Sequence, residues 1–229
     1  MVAVIIPAGG VGERLGAKVP KQFLELAGRP LILHTLAPFL SHPEIDLIVI
    51  PCVEGWRDRL LALTRGLSKP VKVVPGGATR QASVANGLKV LPVEVELVLV
   101  HDAARPFIIP EAIGAVLAKV REEGAALMAL PSRDTVKRVR EGRVLETLPR
   151  EEIYLAQTPQ GALKGLLLEA FLWAEKRGLS ATDEASLLEA YGVPVHVVPG
   201  SPLNFKITTP EDLILAEAIL RSSGQEHKD

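Results

Sequence analysis

Six short apolar runs recur along this chain with helix-like segments between them: "VAVIIP", "IDLIVI", "VKVVPG", "VELVLVHD", "AALMALP" and "VPVHVVPG". Near-continuous apolar character over so few residues, with β-branched side chains frequent, suits central strands covered on both faces. Strand alternating with helix in this rhythm implies a doubly wound, mostly parallel sheet of the α/β class, Rossmann-like in layout. The intervening helices have legible ends. "RPLILHTLAPFLSHP" opens on Pro30, "PEAIGAVLAKVREEG" runs from Pro110 to a stop at Gly124, and "TPEDLILAEAILRSSG" sets Thr209 before Pro210, Glu211 and Asp212. No linker or repeat divides the 229 residues, so one domain spanning 1–229 is expected.

One segment breaks the rhythm. "DTVKRVREGRVLETLPR", from Asp134 to Arg150, puts β-formers on either side of "EG" and reads as a hairpin turning at Gly142. Such a ribbon has too few apolar residues for a core of its own. Residues 132–151 therefore read either as a solvated excursion or as a protruding β-arm that packs on a second subunit.

The charge balance excludes several function classes. With 26 basic and 27 acidic residues the formal net charge is −1, so no global field draws the chain to nucleic acid or to an acidic membrane surface. Aromatic residues, 4% of the chain, are too few for a base-stacking platform. No apolar run approaches the ~20 residues of a membrane span. The lone cysteine, Cys52, has no partner for an intramolecular disulfide, and the start at Met1 resembles no signal peptide, so a cytoplasmic protein is expected.

Any phosphate site must then be a local cluster, and one stands directly after the first run. "PAGGVGERLGAKVPKQF", Pro7 to Phe23, places three glycines in four residues, Gly9, Gly10 and Gly12, and sets Arg14, Lys18 and Lys21 around them. Glycines that permit positive φ and clear space for a ligand, beside cations, suggest that an anion approaches the backbone. A dinucleotide fingerprint fails because Leu15 stands where the third glycine is required, and Gly16 is followed by "AKV" rather than the Lys-Ser/Thr of a P-loop. Neither a dehydrogenase nor a P-loop NTPase is supported.

The remaining pattern resembles the nucleotidyltransferase signature. "GGATRQASVANGL", "LVHDAARPF", "PSRDTVKR", "AQTPQ", "TDEASLLEAYG" and "NFKITTPEDLILAE" follow it in the order found in the 2-C-methyl-D-erythritol 4-phosphate cytidylyltransferase family. The likeness covers essentially the whole chain, and ribitol-phosphate cytidylyltransferases look similar. It implies a Rossmann-like nucleotidyltransferase fold and transfer of CMP from CTP to a polyol phosphate, in the service of non-mevalonate isoprenoid synthesis. Because some relatives are fused to a second enzyme and this chain stops soon after its last helix, a stand-alone form is expected.

The resemblance also implies roles for particular residues. Pro7, Ala8, Gly9 and Gly10 would lie along the nucleotide, with Arg14 and Lys21 on the triphosphate, where a guanidinium fork and a point charge divide the work. Gly77, Ala78 and Ser83 would read cytosine. Asp102, at a strand end, would touch the nucleotide and hold Mg²⁺, which commonly takes one or two carboxylates and completes its shell with phosphate oxygens and water. Lys206 would receive the acceptor phosphate, with Arg105, Thr135, Thr158 and Thr182 around the substrate, and Thr135 and Arg150 would enter the neighbouring subunit's site in a homodimer.

Several of these residues have plainer uses. The lesser alternatives are a cap after the strand for Asp102 and the cap of the next helix for Thr79, while Thr182 reads equally as an N-cap before "DEAS" and Thr158 as the close of a turn before Pro159. His101 reads as packed rather than metal-ligating, and Arg133, Lys137, Arg138 and Arg140 as the solvated face of the ribbon. A catalytically inactive CTP-sensing module would keep the fold but lose Arg14, Lys21 or Asp102; all three stand.

Overall fold

A computed structural model describes residues 1–10 and 19–225. The chain opens with β1 (Val2–Ile5), makes a small antiparallel pair from β2 (Glu25–Leu26) and β3 (Arg29–Pro30), and enters α1 (Leu31–Ser41). It continues through β4 (Leu47–Cys52), α2 (Arg57–Thr64), β5 (Val71–Pro75), α3 (Arg80–Lys89), β6 (Leu97–Val100), α4 (Pro110–Glu123) and β7 (Ala125–Pro131). A hairpin of β8 (Lys137–Arg140) and β9 (Arg143–Thr147) precedes β10 (Tyr154–Leu163), α5 (Lys164–Arg177), α6 (Glu184–Tyr191), β11 (His196–Pro199) and α7 (Pro210–Gln225).

The main sheet has seven strands in the order β11-β7-β10-β6-β1-β4-β5. All pairings are parallel except the two that β10 makes, with β6 and with β7. From β1 the chain moves outward to β4 and β5, then crosses back to place β6 on the other side of β1. The switch point of the fold therefore lies between β1 and β6, where open α/β sheets leave a crevice beyond the strand ends.

Side-chain alternation builds the two covered faces. Val4, Ile6, Ile48, Ile50 and Leu99 point to one side, against Phe39 of α1 and Ile113 and Leu117 of α4. Ala3, Ile5, Val49, Val98 and Val100 point to the other, against Val84 and Leu88 of α3, Leu167 and Phe171 of α5 and Leu188 of α6. Such period-two partition leaves no polar face on a central strand, and this is why the runs read as continuously apolar. α4 shows the helical counterpart: Ile113, Val116, Leu117 and Val120 form one buried stripe, Pro110 opens the helix, and Gly124 ends it at φ 88°.

Two sequence expectations change in detail. β5 and β11 are the sheet edges, with side chains partly or fully exposed between single buried valines, rather than central strands. The segment "AQTPQ" is no turn but the middle of β10, a strand the apolar pattern does not announce. Its buried polar residues, Gln157, Thr158 and Gln160, disguise it, as do Pro159 and Gly161, and Pro159 falls where the pairing with β7 shifts register. The hairpin forms as expected: Glu141 (φ 49°) and Gly142 (φ 76°) make a two-residue turn in the left-handed region. All residues of β8 and β9 are exposed, and the ribbon pairs with no other strand among the described residues.

Gly161 sits at a tight point of the core, between β6 and α4. A Cβ built there lies 2.6 Å from Leu99 Cδ2 and 2.9 Å from Val120 Cγ2. Gly161→Ala is expected to force α4 off the sheet and cost about 1–3 kcal/mol, read as a lowered urea midpoint. An unchanged midpoint would contradict this account of the β6–β10–α4 packing.

Candidate active site

The carboxyl ends of β1, β5 and β6 open into one cleft of about 330 Å³, within the range of small-ligand sites. Pro7, Gly9 and Gly10 form the wall after β1, Gly77, Ala78 and Thr79 the wall after β5, and Asp102, Ala103 and Ala104 the wall after β6. Lys21, Arg80, Ser83 and Lys206 reach in from the sides. Arg14 lies outside the described residues.

Local hydrogen bonding explains each wall. β1 is prolonged as Ala8 N–H donates to Pro51 O (2.7 Å), and Gln22, buried, donates through Nε2 to Ala8 O (2.6 Å). A single helical turn over Lys21–Phe23 is anchored by Phe23, whose ring stacks on Trp56 at 4.8 Å. This anchoring turns Lys21 toward the glycines, so that a Cβ on Gly10 would touch its Cε at 3.6 Å. On the facing wall, Ser83 Oγ accepts from Gly77 N (2.9 Å) and donates to Thr79 O (2.9 Å), while Thr79 Oγ1 caps α3 through Ala82 N. Gly77 has no room for a side chain: a Cβ would stand 2.4 Å from that of Ala82. Thr79 is thus both cap and cleft wall, and the N-terminus of α3 presents its dipole to the cleft, a setting that favours anions.

Asp102 is the electrostatic centre. It stands two residues past the end of β6, is 7% exposed, and meets three cations: Arg80 Nε on Oδ1 (3.1 Å), Lys206 Nζ on Oδ2 (2.9 Å) and Arg105 Nε on Oδ2 (3.4 Å). Burial opposes ionisation, but Lys206, Arg80 and Arg105 outweigh it and hold the carboxyl well below the usual carboxylate range. Arg80 is fixed in turn by a bidentate fork to Glu184 (2.8 and 2.9 Å) and Arg105 by Asn204 O (2.8 Å). His101, fully buried, is pushed down to about 4 by desolvation and is neutral. Among the described residues no group of three or more His, Cys, Asp or Glu gathers as a metal cage. A hard cation would instead find a single ionised carboxylate facing the cleft, a donor that fits Mg²⁺ when phosphate oxygens and water supply the rest.

The remaining expected residues lie elsewhere. Ala8 is buried beneath the cleft. Thr158, also buried, spends its hydroxyl on Asp102 N (3.0 Å) and His101 Nδ1 (3.0 Å), so it acts behind the wall and closes no turn. Thr182 is exposed and caps nothing: the N-cap of α6 is Asp183, in a capping box with Ser186, because Asp183 Oδ1 reaches Ser186 N at 2.9 Å. Thr135 and Arg150 stand exposed on the arm, Arg150 bonding to Arg133 O (3.4 Å) and pairing with Glu151 (3.5 Å). Sequence reasoning missed Arg80 and Glu184. Arg80 sits inside a quoted motif, but a pair 104 residues apart leaves no spacing to read.

A glycine-walled cleft at a switch point, bordered by Lys21, Arg80 and Lys206, is the kind of place where an open α/β sheet can take an anionic ligand. The family model described as IspD, 2-C-methyl-D-erythritol 4-phosphate cytidylyltransferase, matches residues 2–222, and the chain belongs to that family. It is 46% identical over 220 residues to the enzyme of that name from Halalkalibacterium halodurans, with 95% of this chain and 96% of the relative covered. The one from Bacillus licheniformis is 43% identical, with 96% and 95% covered. A crystal structure of 4-diphosphocytidyl-2C-methyl-D-erythritol synthase from Anaerococcus prevotii superposes with a TM-score of 0.87 at 32% identity, covering 96% of this chain and 98% of that one.

Arg80→Ala would strand Glu184, whose side chain is 4% exposed. Removing one partner of a buried pair costs about 3–5 kcal/mol, so the variant should lose that much in urea unfolding. Arg80→Met combined with Glu184→Leu should recover most of it; equal losses in the single and double variants would contradict the pairing.

Proposed function

We infer that the protein transfers CMP from CTP to 2-C-methyl-D-erythritol 4-phosphate, giving 4-diphosphocytidyl-2-C-methyl-D-erythritol and pyrophosphate, a step of non-mevalonate isoprenoid precursor synthesis. The observation that carries this is the switch-point cleft in which glycine main chain, Lys21, Asp102 and Lys206 converge in a chain of this family. An oxygen of the acceptor phosphate attacks the α-phosphorus. The bond from that phosphorus to the oxygen bridging to the β-phosphate breaks, and pyrophosphate leaves with the electron pair. The nucleophile is already anionic near neutral pH, the second phosphate pKa being about 6, so the site needs no general base. It needs to bring two polyanions together and spread the growing charge.

The chain's own residues are suited to that. Gly9 and Gly10 let the triphosphate approach the main chain, and Lys21, with Arg14 of the same sequence motif, draws charge from the phosphorus under attack. Gly77, Ala78 and Ser83 border the base, and Lys206 holds the acceptor phosphate beside Arg105. Asp102 would hold Mg²⁺, which when bound neutralises phosphate charge. The exposed arm, carrying Val139, Val144 and Leu145 without cover in this chain, supports a homodimer in which Thr135 and Arg150 complete the neighbouring site. No helix among the described residues is long and apolar enough to cross a membrane. The single buried Cys52 supports a reducing, cytoplasmic setting.

Pyrophosphate release with CTP and Mg²⁺ should be strong with 2-C-methyl-D-erythritol 4-phosphate, weak with ribitol 5-phosphate, and abolished by EDTA. The reverse preference would reassign the acceptor, and silence with both while CTP binds would favour a sensing module. Arg150→Ala should lower turnover far more than CTP affinity; unchanged kinetics would show that the arm takes no part.

A further inference from the structure

His101 is assigned no part in the chemistry above, yet its ring is wholly buried and both its nitrogens are engaged. Nε2 lies 3.0 Å from the carbonyl oxygen of Arg105, and Nδ1 lies 3.0 Å from Thr158 Oγ1. A carbonyl only accepts, so Nε2 must carry the hydrogen. Nδ1 then offers a lone pair, and Thr158 donates its O–H to it. The Thr158 oxygen in turn accepts Asp102 N–H at 3.0 Å. The opposite tautomer would set two lone pairs against each other at Arg105 and leave the Thr158 proton without an acceptor. Only one assignment satisfies every group.

The chain of bonds closes on itself. Arg105 N–H donates to Asp102 O (3.1 Å), Arg105 Nη1 donates to Asn204 O (2.8 Å), and Asn204 Nδ2 donates to Thr158 O (2.7 Å). The 102–105 turn is thus tied to β10 at Thr158 and to the segment that carries Lys206, with the imidazole as its internal strut. Phe39 packs against that ring at 5.0 Å and blocks its exit. We propose that His101 is a positioning residue: through its Nε2–H tautomer it and Thr158 fix the turn that sets Asp102 and Arg105 against Lys206, and with it the acceptor side of the cleft. The proposal rests on the functional reading above, and it gives Thr158 a use other than substrate contact. The main-chain walls after β1 and β5 lie outside this loop of bonds, whereas Asp102 lies inside it, so loss of the strut should fall on turnover and on the metal-dependent part of binding and spare the hold of the glycine walls and Lys21 on CTP.

The test compares Thr158→Val and His101→Gln with the unaltered protein and with Ile113→Val, a core change in α4 away from the cleft. Nitrogen NMR of histidine-labelled protein, with His101→Gln identifying the signal, should show His101 protonated at Nε2 and bare at Nδ1. In Thr158→Val the amide signals of Asp102 and Arg105 should move. Turnover at saturating acceptor should fall on the order of 10- to 100-fold in both site variants, as misplacement of a reacting group by about 1 Å does, while CTP affinity measured with neither acceptor nor Mg²⁺ stays near that of the unaltered protein. His101→Gln, which keeps a donor at the Nε2 position, should lose less than His101→Leu. A hydrogen on Nδ1, unmoved Asp102 and Arg105 amides, or turnover no lower than in Ile113→Val would overturn the proposal. If the unaltered protein released no pyrophosphate with any acceptor, the functional reading would fall, and the spectra would still decide the strut.

Discussion

Everything in the cleft is arranged around one buried carboxylate shared by three cations. Asp102 draws Arg80 from the first turn of α3, Arg105 from its own turn and Lys206 from the segment before α7. None of these charges could be buried alone, because an unpaired ion away from water costs several kcal/mol. With Glu184 behind Arg80, the three cations and two carboxylates leave a net positive surround in which only Asp102 of the two carboxylates lines the cleft. That surround suits a site that must hold a triphosphate and a second phosphate without repelling either.

Backbone topology decides where this happens. β1 and β6 diverge in their connections, so the crevice between their ends is left open, and the loops after them supply main-chain groups and Asp102 to the same space. Further support comes from uncharged groups: Gln22 holds Ala8, Ser83 holds Gly77, and Thr158 holds Asp102. These bonds make the walls rigid before any ligand arrives, and rigid walls spend less of the binding energy on ordering.

Much of this was legible in the sequence where physics acts over short range. The strands beside the cleft show as apolar runs because both faces of the sheet are covered, and the arm shows at Glu141-Gly142 because two left-handed residues are what a tight hairpin demands. β10 was hidden because Gln157 and Gln160 carry polar groups into the interior, where their partners are Ser201, Asp183 and Ala185. Nothing near them in sequence signals that satisfaction. Lys21 and Asp102 stood out by their place after strands, whereas Lys206 followed only from family resemblance. Arg80–Glu184 was invisible because tertiary folding alone joins its halves.

The central claim is that CTP lies in this cleft with its triphosphate between the glycine wall and Lys21, on the Asp102 side of the switch point. A crystal structure of the chain with CTP and Mg²⁺ tests it most directly. The account predicts phosphate oxygens within hydrogen-bond distance of Lys21 and of the Gly9–Gly10 main chain, with the metal ion on Asp102. Nucleotide bound at another surface, or an Asp102 that touches neither metal nor ligand while CTP is fully ordered, would contradict it.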